Sequence, residues 1–112
     1  MPSTTNYQAG EVVLVDFPFT VGTRTKLRPA LMVLDTGDAD ILVARITSQT
    51  AATAYDVQLI DWRQAGLNAP SAVRLHKLAT LEKILVDRVL GRLEPGDRQK
   101  VSAVLQQMFG AW

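Results

Sequence analysis

Three short apolar runs near the start of the chain leave few folds open. They read Glu11-Val12-Val13-Leu14-Val15-Asp16-Phe17, then Leu27-Arg28-Pro29-Ala30-Leu31-Met32-Val33-Leu34, then Ile41-Leu42-Val43-Ala44-Arg45-Ile46-Thr47-Ser48, with Pro18, Gly22 and Gly37 as breakers between them. Each run is long enough for a strand and too short for an ordinary helix, and its Val and Ile content suits a pleated sheet. The spacing predicts three successive antiparallel strands, the start of a small barrel.

The remainder of the chain adds to that sheet. Tyr55 to Ile60 alternates Asp56 and Gln58 with Val57 and Leu59, as a fourth strand would. Asp61 can cap a short helical turn through Gln64 that Gly66 ends. From Ala72 the apolar residues Val73 and Leu75 share a face opposite Arg74 and His76, and the parity then shifts to Leu78. Such a shift predicts a bulge near His76-Lys77, which would let one strand serve both sides of a barrel. Leu85 to Leu93 reads as a last strand. Glu94-Pro95-Gly96-Asp97 then opens the one clear helix: Val101, Val104, Leu105, Met108 and Trp112 form a single stripe, and Gly110 suits its terminus. The whole reads as a mainly β fold with a C-terminal helix.

Composition bounds the function. The 112 residues fit one domain, with a polar and flexible N-terminus over 1–9 and the folded unit over 10–112. A formal net charge of +1 excludes the strongly basic signature of a passive nucleic-acid coat, so any nucleic-acid binding would need local clustering. The absence of cysteine excludes disulfides, thiolate-zinc sites and cysteine nucleophiles. No run approaches the ~20 apolar residues of a membrane helix and Met1 to Ala9 lacks a signal-peptide pattern, so a cytoplasmic protein without membrane contact is expected.

Local clustering is present. Arg24, Lys26 and Arg28 fall at every second position, which in an extended chain points all three the same way and makes a phosphate-sized positive edge. Gln49 to Ala54 is a small polar loop that a substrate or a partner can touch. Tyr55 and Trp62 are candidate stackers for unpaired bases, with a core role equally open for Trp62. His76 is the only histidine, nothing like a three-ligand site surrounds it, and neither a metal nor another cofactor is expected.

The Arg28-Pro29 pair opening the second strand and Thr47-Ser48 ending the third are similar to the PemK/MazF family of toxins. So are Asp61-Trp62 with Ala65-Gly66-Leu67, Pro70-Ser71-Ala72-Val73-Arg74-Leu75, Lys77-Leu78-Ala79-Thr80-Leu81 and Leu90-Gly91-Arg92-Leu93, in that order. The resemblance covers nearly the whole chain. It implies an SH3-like small β-barrel and the endoribonuclease half of a type II toxin-antitoxin pair. It further implies a homodimer that cuts single-stranded RNA and is restrained by a cognate antitoxin with an acidic, disordered tail. It places catalysis on Arg28, Thr47 and Ser48, with RNA contacts from Arg24, Lys26, Gln49 and Lys77.

Chemistry can be assigned to those residue types. Without a metal cluster, cleavage would use the substrate's own 2′-hydroxyl, leaving a 2′,3′-cyclic phosphate and a 5′-hydroxyl. An arginine fork matches phosphate oxygens and keeps its charge at every working pH, and a threonine hydroxyl can donate to the same oxygens. A general base is not evident; Arg28 itself, Asp16, Glu11, His76 and a water stay open. Two other readings stay open as well: a non-catalytic RNA- or peptide-binding barrel, and a gyrase poison of the same fold acting through the C-terminal Phe109-Gly110-Ala111-Trp112.

Overall fold

A computed structural model describes residues 6–18 and 25–110. The readings made of Arg24, of Trp112 and of most of the N-terminal segment lie outside those residues. Among the described residues six strands and one helix follow in order: β1 (Glu11–Pro18), β2 (Thr25–Asp35), β3 (Asp40–Thr47), β4 (Asp56–Gln58), β5 (Ala72–Glu82), β6 (Val86–Arg92) and α1 (Pro95–Phe109), with a 3-10 turn at Lys83–Leu85 before β6. The first three strands pair in succession, antiparallel, as their spacing predicts.

The pairings of the sheet are all antiparallel, in the order β4-β5-β3-β2-β1-β6. The expected barrel is therefore a loose description: β4 and β6 are the two ends of a bent sheet and do not pair with each other. The fourth strand is also shorter than the alternation predicts. Leu59 N–H still donates to the Ser71 carbonyl, but beyond it the main chain turns away, with Ile60 and Asp61 N–H donating to the Asp97 carboxylate.

Because side chains alternate along a strand, the sheet has two faces and each carries a cluster. On one, Val12, Leu31, Ala44, Ile46, Val73 and Leu75 are buried beneath Val101, Val104, Leu105 and Met108 of α1. On the other, Val13, Val15, Ala30, Met32, Ile41 and Val43 are buried against Phe17, Ala79, Leu81, Leu85 and Val86. The bulge expected near His76-Lys77 is what lets β5 reach both. Ala44 pairs with Leu78 and the adjacent Arg45 with Arg74, so residues 75–77 have no rung of their own. Val73 and Leu75 therefore feed the first cluster, and Ala79 and Leu81 the second.

Three devices lock this frame. The helix starts at Pro95 as expected, and Asp97 in its first turn is 1% exposed, accepting from Ile60 N–H at 3.0 Å and Asp61 N–H at 2.8 Å. It thereby ties α1 to the turn before Gly66. That turn is helical in character, though closed by the Asp61 carbonyl accepting from Ala65 N–H at 3.2 Å. Gly66, at φ +89°, and Gly91 press two segments together: a Cβ on Gly91 would stand 2.6 Å from the Ala65 carbonyl oxygen, and one on Gly66 would strike that of Leu90. Lastly, the Lys83 ammonium, 6% exposed, meets the fully enclosed Asp35 carboxylate at 3.0 Å. Burial pushes that carboxyl up, but Tyr7 and Gly37 N–H donations together with Lys83 outweigh it, and its pKa lies below the ordinary value.

Candidate functional site

The second face does not stay apolar. Following its alternation along β2 from Met32 through Ala30 leads to Arg28, which pairs with Val15, and then to Lys26, which pairs with Phe17. Following β3 from Val43 leads to Arg45 and then Thr47. Ala30 is opposite Arg45, so the antiparallel register carried two residues further brings Arg28 and Thr47 side by side. The same pleat that buries the core at one end of these strands thus presents cations and a hydroxyl at the other.

These side chains line a polar cleft of about 430 Å³, whose walls include Arg28, Pro29, Thr47, Ser48 and Gln49. The segment before β5 supplies part of the wall, through Asn68, Ala69 and Ser71. Four of the residues singled out from sequence, Arg28, Thr47, Ser48 and Gln49, therefore share one cavity. Arg28 is half-buried, whereas Ser48 and Gln49 are exposed. The Thr47 hydroxyl accepts from Gln49 N–H at 3.2 Å. That bond uses a lone pair and leaves the hydroxyl proton to donate into the cleft.

Two further arginines, missed from sequence, complete the lining: Arg45 and Arg74. Arg45 could have been found by the alternation that aligned Lys26 with Arg28, since it stands two residues before Thr47 on the same strand. Arg74 could not, because its place depends on the β3–β5 register. Among the described residues three guanidiniums line the cleft and no carboxylate does, so it is built to attract an anion.

A shallower, more apolar depression of about 290 Å³ lies on the other side of Arg28, between Phe17, Val43, Leu78 and Ala79. Arg45 lines it as well, and so does Lys77, which places this lysine beside the cleft rather than in it. Lys26 is exposed and on the Arg28 face, but lines neither cavity.

The other sequence candidates fall elsewhere. Asp16 pairs with Leu27 and so alternates to the face opposite Arg28, and Glu11 is at the far end of β1. His76 stands outside the cleft with its Nδ1 3.8 Å from Asp56 and its ring 5.9 Å from that of Tyr55. Trp62 packs against the helix-side core with the Arg63 guanidinium 4.9 Å over its ring, the core role for that residue. Among the described residues no three His, Asp or Glu side chains gather in a way that could hold a metal ion, and no helix is long and apolar enough to cross a membrane.

Comparison with known proteins places this geometry. Residues 8–109 match the family described as the PemK-like, MazF-like toxin of type II toxin-antitoxin systems. No curated protein sequence matches the chain. Among solved structures it is similar to an endoribonuclease from a Mycobacterial species, with TM-score 0.74, 19% identity and coverage of 97% of this chain and 97% of that one. It is also similar to a chain of the MazE-MazF (Form-II) crystal structure from Deinococcus radiodurans, with TM-score 0.76, 17% identity and coverage of 96% and 99%. A third likeness, to a chain of a Mycobacterial endoribonuclease in complex with its cognate antitoxin, has TM-score 0.69 and 21% identity over 93% of this chain and 95% of that one. At these identities the likenesses show a shared fold.

Proposed function

This chain belongs to the PemK-like, MazF-like toxins of type II toxin-antitoxin systems, and we propose that it acts by cutting single-stranded RNA at the Arg28–Thr47 cleft without a metal. The observation that carries this reading is the convergence of Arg28, Thr47, Ser48 and Gln49 in one cation-lined cavity, reached by folding two separate strands together. Solved structures of like fold described as endoribonucleases support it.

The chemistry follows from the lining. A phosphodiester in the cleft has its non-bridging oxygens facing the Arg28 fork and the Thr47 hydroxyl. The adjacent 2′-oxygen attacks phosphorus, the bond to the 5′-oxygen breaks, and that oxygen takes up a proton as it leaves. The products are a 2′,3′-cyclic phosphate and a 5′-hydroxyl. Charge building on the phosphorane is where fixed donors contribute most, since they are stronger there than in the ground state. Ser48 and Gln49 hold the strand at the cleft rim. The 2′-proton passes to solvent in this reading, and none of the described carboxylates lines the cavity.

Regulation fits the same surface. An antitoxin with an acidic, initially disordered tail would lay its carboxylates where RNA phosphates bind, and the two would exclude each other. A MazE-MazF structure of like fold supports such a partner. The working form is a cytoplasmic homodimer, silent while the antitoxin is bound. The deciding experiment digests a long unstructured RNA with purified protein in excess EDTA and maps the product ends, beside an Arg28→Ala variant of verified fold. Cuts at a recurring short sequence, ending in cyclic phosphate and absent from the variant, are expected. Intact RNA with gyrase arrested in a supercoiling assay would replace this reading with a poison, and silence in both assays would leave a binding module.

A further inference from the structure

We propose that the exposed rings of Tyr55 and His76 form a stacking site for one unpaired base of a single-stranded RNA, outside the Arg28–Thr47 cleft and next to it. Two strands bring the rings together. Tyr55 immediately precedes β4, and His76 lies in the stretch 75–77 of β5 that has no rung with β3. What β5 loses there toward β3 it gains toward Tyr55, whose carbonyl accepts from Leu75 N–H at 3.0 Å. The bulge that lets β5 change faces thus also re-aims His76, as bulges near functional sites do, and its ring stands 5.9 Å from that of Tyr55.

Neither ring serves the core. Tyr55 is 42% exposed, His76 is exposed too, and neither belongs to the clusters on the two faces of the sheet. One exposed aromatic residue needs no explanation, but two held together at the edge of a cleft do. The pair is anchored from below: Tyr55 N–H donates to the Thr53 hydroxyl at 3.2 Å, and the Asp56 carboxylate, 2% exposed, accepts from Ala52 and Thr53 N–H at 3.0 Å each. The ring planes are tilted by 51°, so the rings do not stack face to face on one another. A flat guest would lie on the tyrosine with the imidazole along its edge.

Charge says which part of a nucleotide belongs here. The Asp56 oxygen that stands 3.4 Å from Arg74 Nε is also 3.8 Å from His76 Nδ1. Arg74 lines the cleft, so the rings adjoin its wall. A fixed carboxylate beneath the imidazole makes this spot poorer for a phosphate than the cleft, which no described carboxylate lines. A neutral base carries no such penalty, and stacking asks only for a π-face. A strand whose phosphate occupies the cleft would therefore place a flanking base on Tyr55 and His76. Since every base has such a face, the site should add affinity more than sequence choice.

This inference rests on the ribonuclease reading for the presence of a strand but is tested through binding alone. The probe is a short fluorescent single-stranded RNA with 2′-fluoro in place of every 2′-hydroxyl, which cannot be cut through the 2′-oxygen. Its Kd is measured by anisotropy, intact and with one base at a time removed to leave an abasic sugar. Tyr55→Ala should weaken binding of the intact probe ~10-fold, within the usual loss for one base–aromatic stack, with an unchanged thermal midpoint. Tyr55→Phe should keep wild-type affinity, since the ring and not the hydroxyl is used. Removing the base at one position should weaken wild-type binding by a like factor and leave Tyr55→Ala unaffected, because the two changes delete the same contact. His76→Ala should show a smaller loss tied to that same position. The slope of log affinity against log salt should not move in Tyr55→Ala, as no phosphate contact is removed.

An abasic scan in which Tyr55→Ala loses as much as the wild type at every position would overturn the stacking site. So would Tyr55→Phe binding as weakly as Tyr55→Ala, a wild type that does not bind the probe, or a flattened salt slope in Tyr55→Ala, which would trace the loss to a phosphate. If the base-dependent loss is found but ribose RNA stays intact, the ribonuclease reading fails and the stacking site stands; if ribose RNA is cut and the scan shows no such position, the reverse holds.

Discussion

The two faces of one sheet are built from the same strands, in alternate residues, yet have opposite fates. Leu31, Ala44 and Leu75 belong to a face whose cluster packs under α1, while Ala30, Met32 and Val43 belong to one whose apolar cluster stops at Arg28 and Arg45. The helix-covered cluster is core packing. On the open face burial gives way to charge within two residues along a strand, and the core behind is what holds Arg28 and Thr47 in place. Stability and chemistry should therefore separate by parity of residue number along β2 and β3.

That separation can be broken by substitution. The largest stability effect is expected on the helix-covered face: Leu75→Ala, at a site with no exposure, should cost about 3 kcal/mol or more in denaturant unfolding, with kcat per folded molecule unchanged. A rate defect matching the fraction unfolded would keep the parity rule, and a larger one would break it. On the open face Thr47→Val should lower kcat by ~100-fold, about 2.7 kcal/mol of transition-state stabilisation, with an unchanged thermal midpoint. Loss of stability with rate intact would reverse the two roles.

Smaller effects sharpen the comparison at its edges. Asp97→Ala leaves the Ile60 and Asp61 N–H groups without their acceptor and should cost about 2 kcal/mol, read as a lower unfolding midpoint, while the salt dependence of RNA binding stays the same. The smallest effect is expected from acid. Asp35 and Asp56 both have pKa values held below the ordinary carboxylate value of 3.8. For Asp56, burial pushes the value up, and Ala52 and Thr53 N–H donation together with Arg74 brings it down further. A carboxylate whose folded pKa is depressed contributes stability that is complete above its unfolded pKa and is lost as pH falls through the folded one. Unfolding midpoints should thus be level near neutrality and fall below about pH 4. Asp35→Asn, which cannot bind that extra proton, should flatten the fall, and an unflattened curve would show that this buried pair is not its source.

Much of this was legible in the residues. Val, Ile and Leu runs cut by Pro18 and Gly37 gave strands where strands occur, and the Pro95 start and i, i+3, i+4 stripe gave α1. The parity shift after Leu75 located a bulge before any pairing was known, because a strand that changes its buried face must skip residues. Arg28 and Thr47 were legible as a pair through their likeness to a family motif, and the fold brings them to one cavity.

Other features had no local signature. An arginine in a strand reads as solvated until its cross-strand neighbour is known, and Arg45 and Arg74 come to line one cleft only through the β3–β5 register. Asp97 reads as a turn residue, and Lys83 and Asp35 as surface charges, until distant backbone closes over them. The early end of β4 is of the same kind, set by where Ile60 and Asp61 find an acceptor. Alternation and breakers act over a few residues, so the sequence alone determined strands, helix and the side each residue faces. Which faces meet, and which charges are buried or gathered, depends on pairing between segments far apart in the chain, and only the tertiary structure decided it.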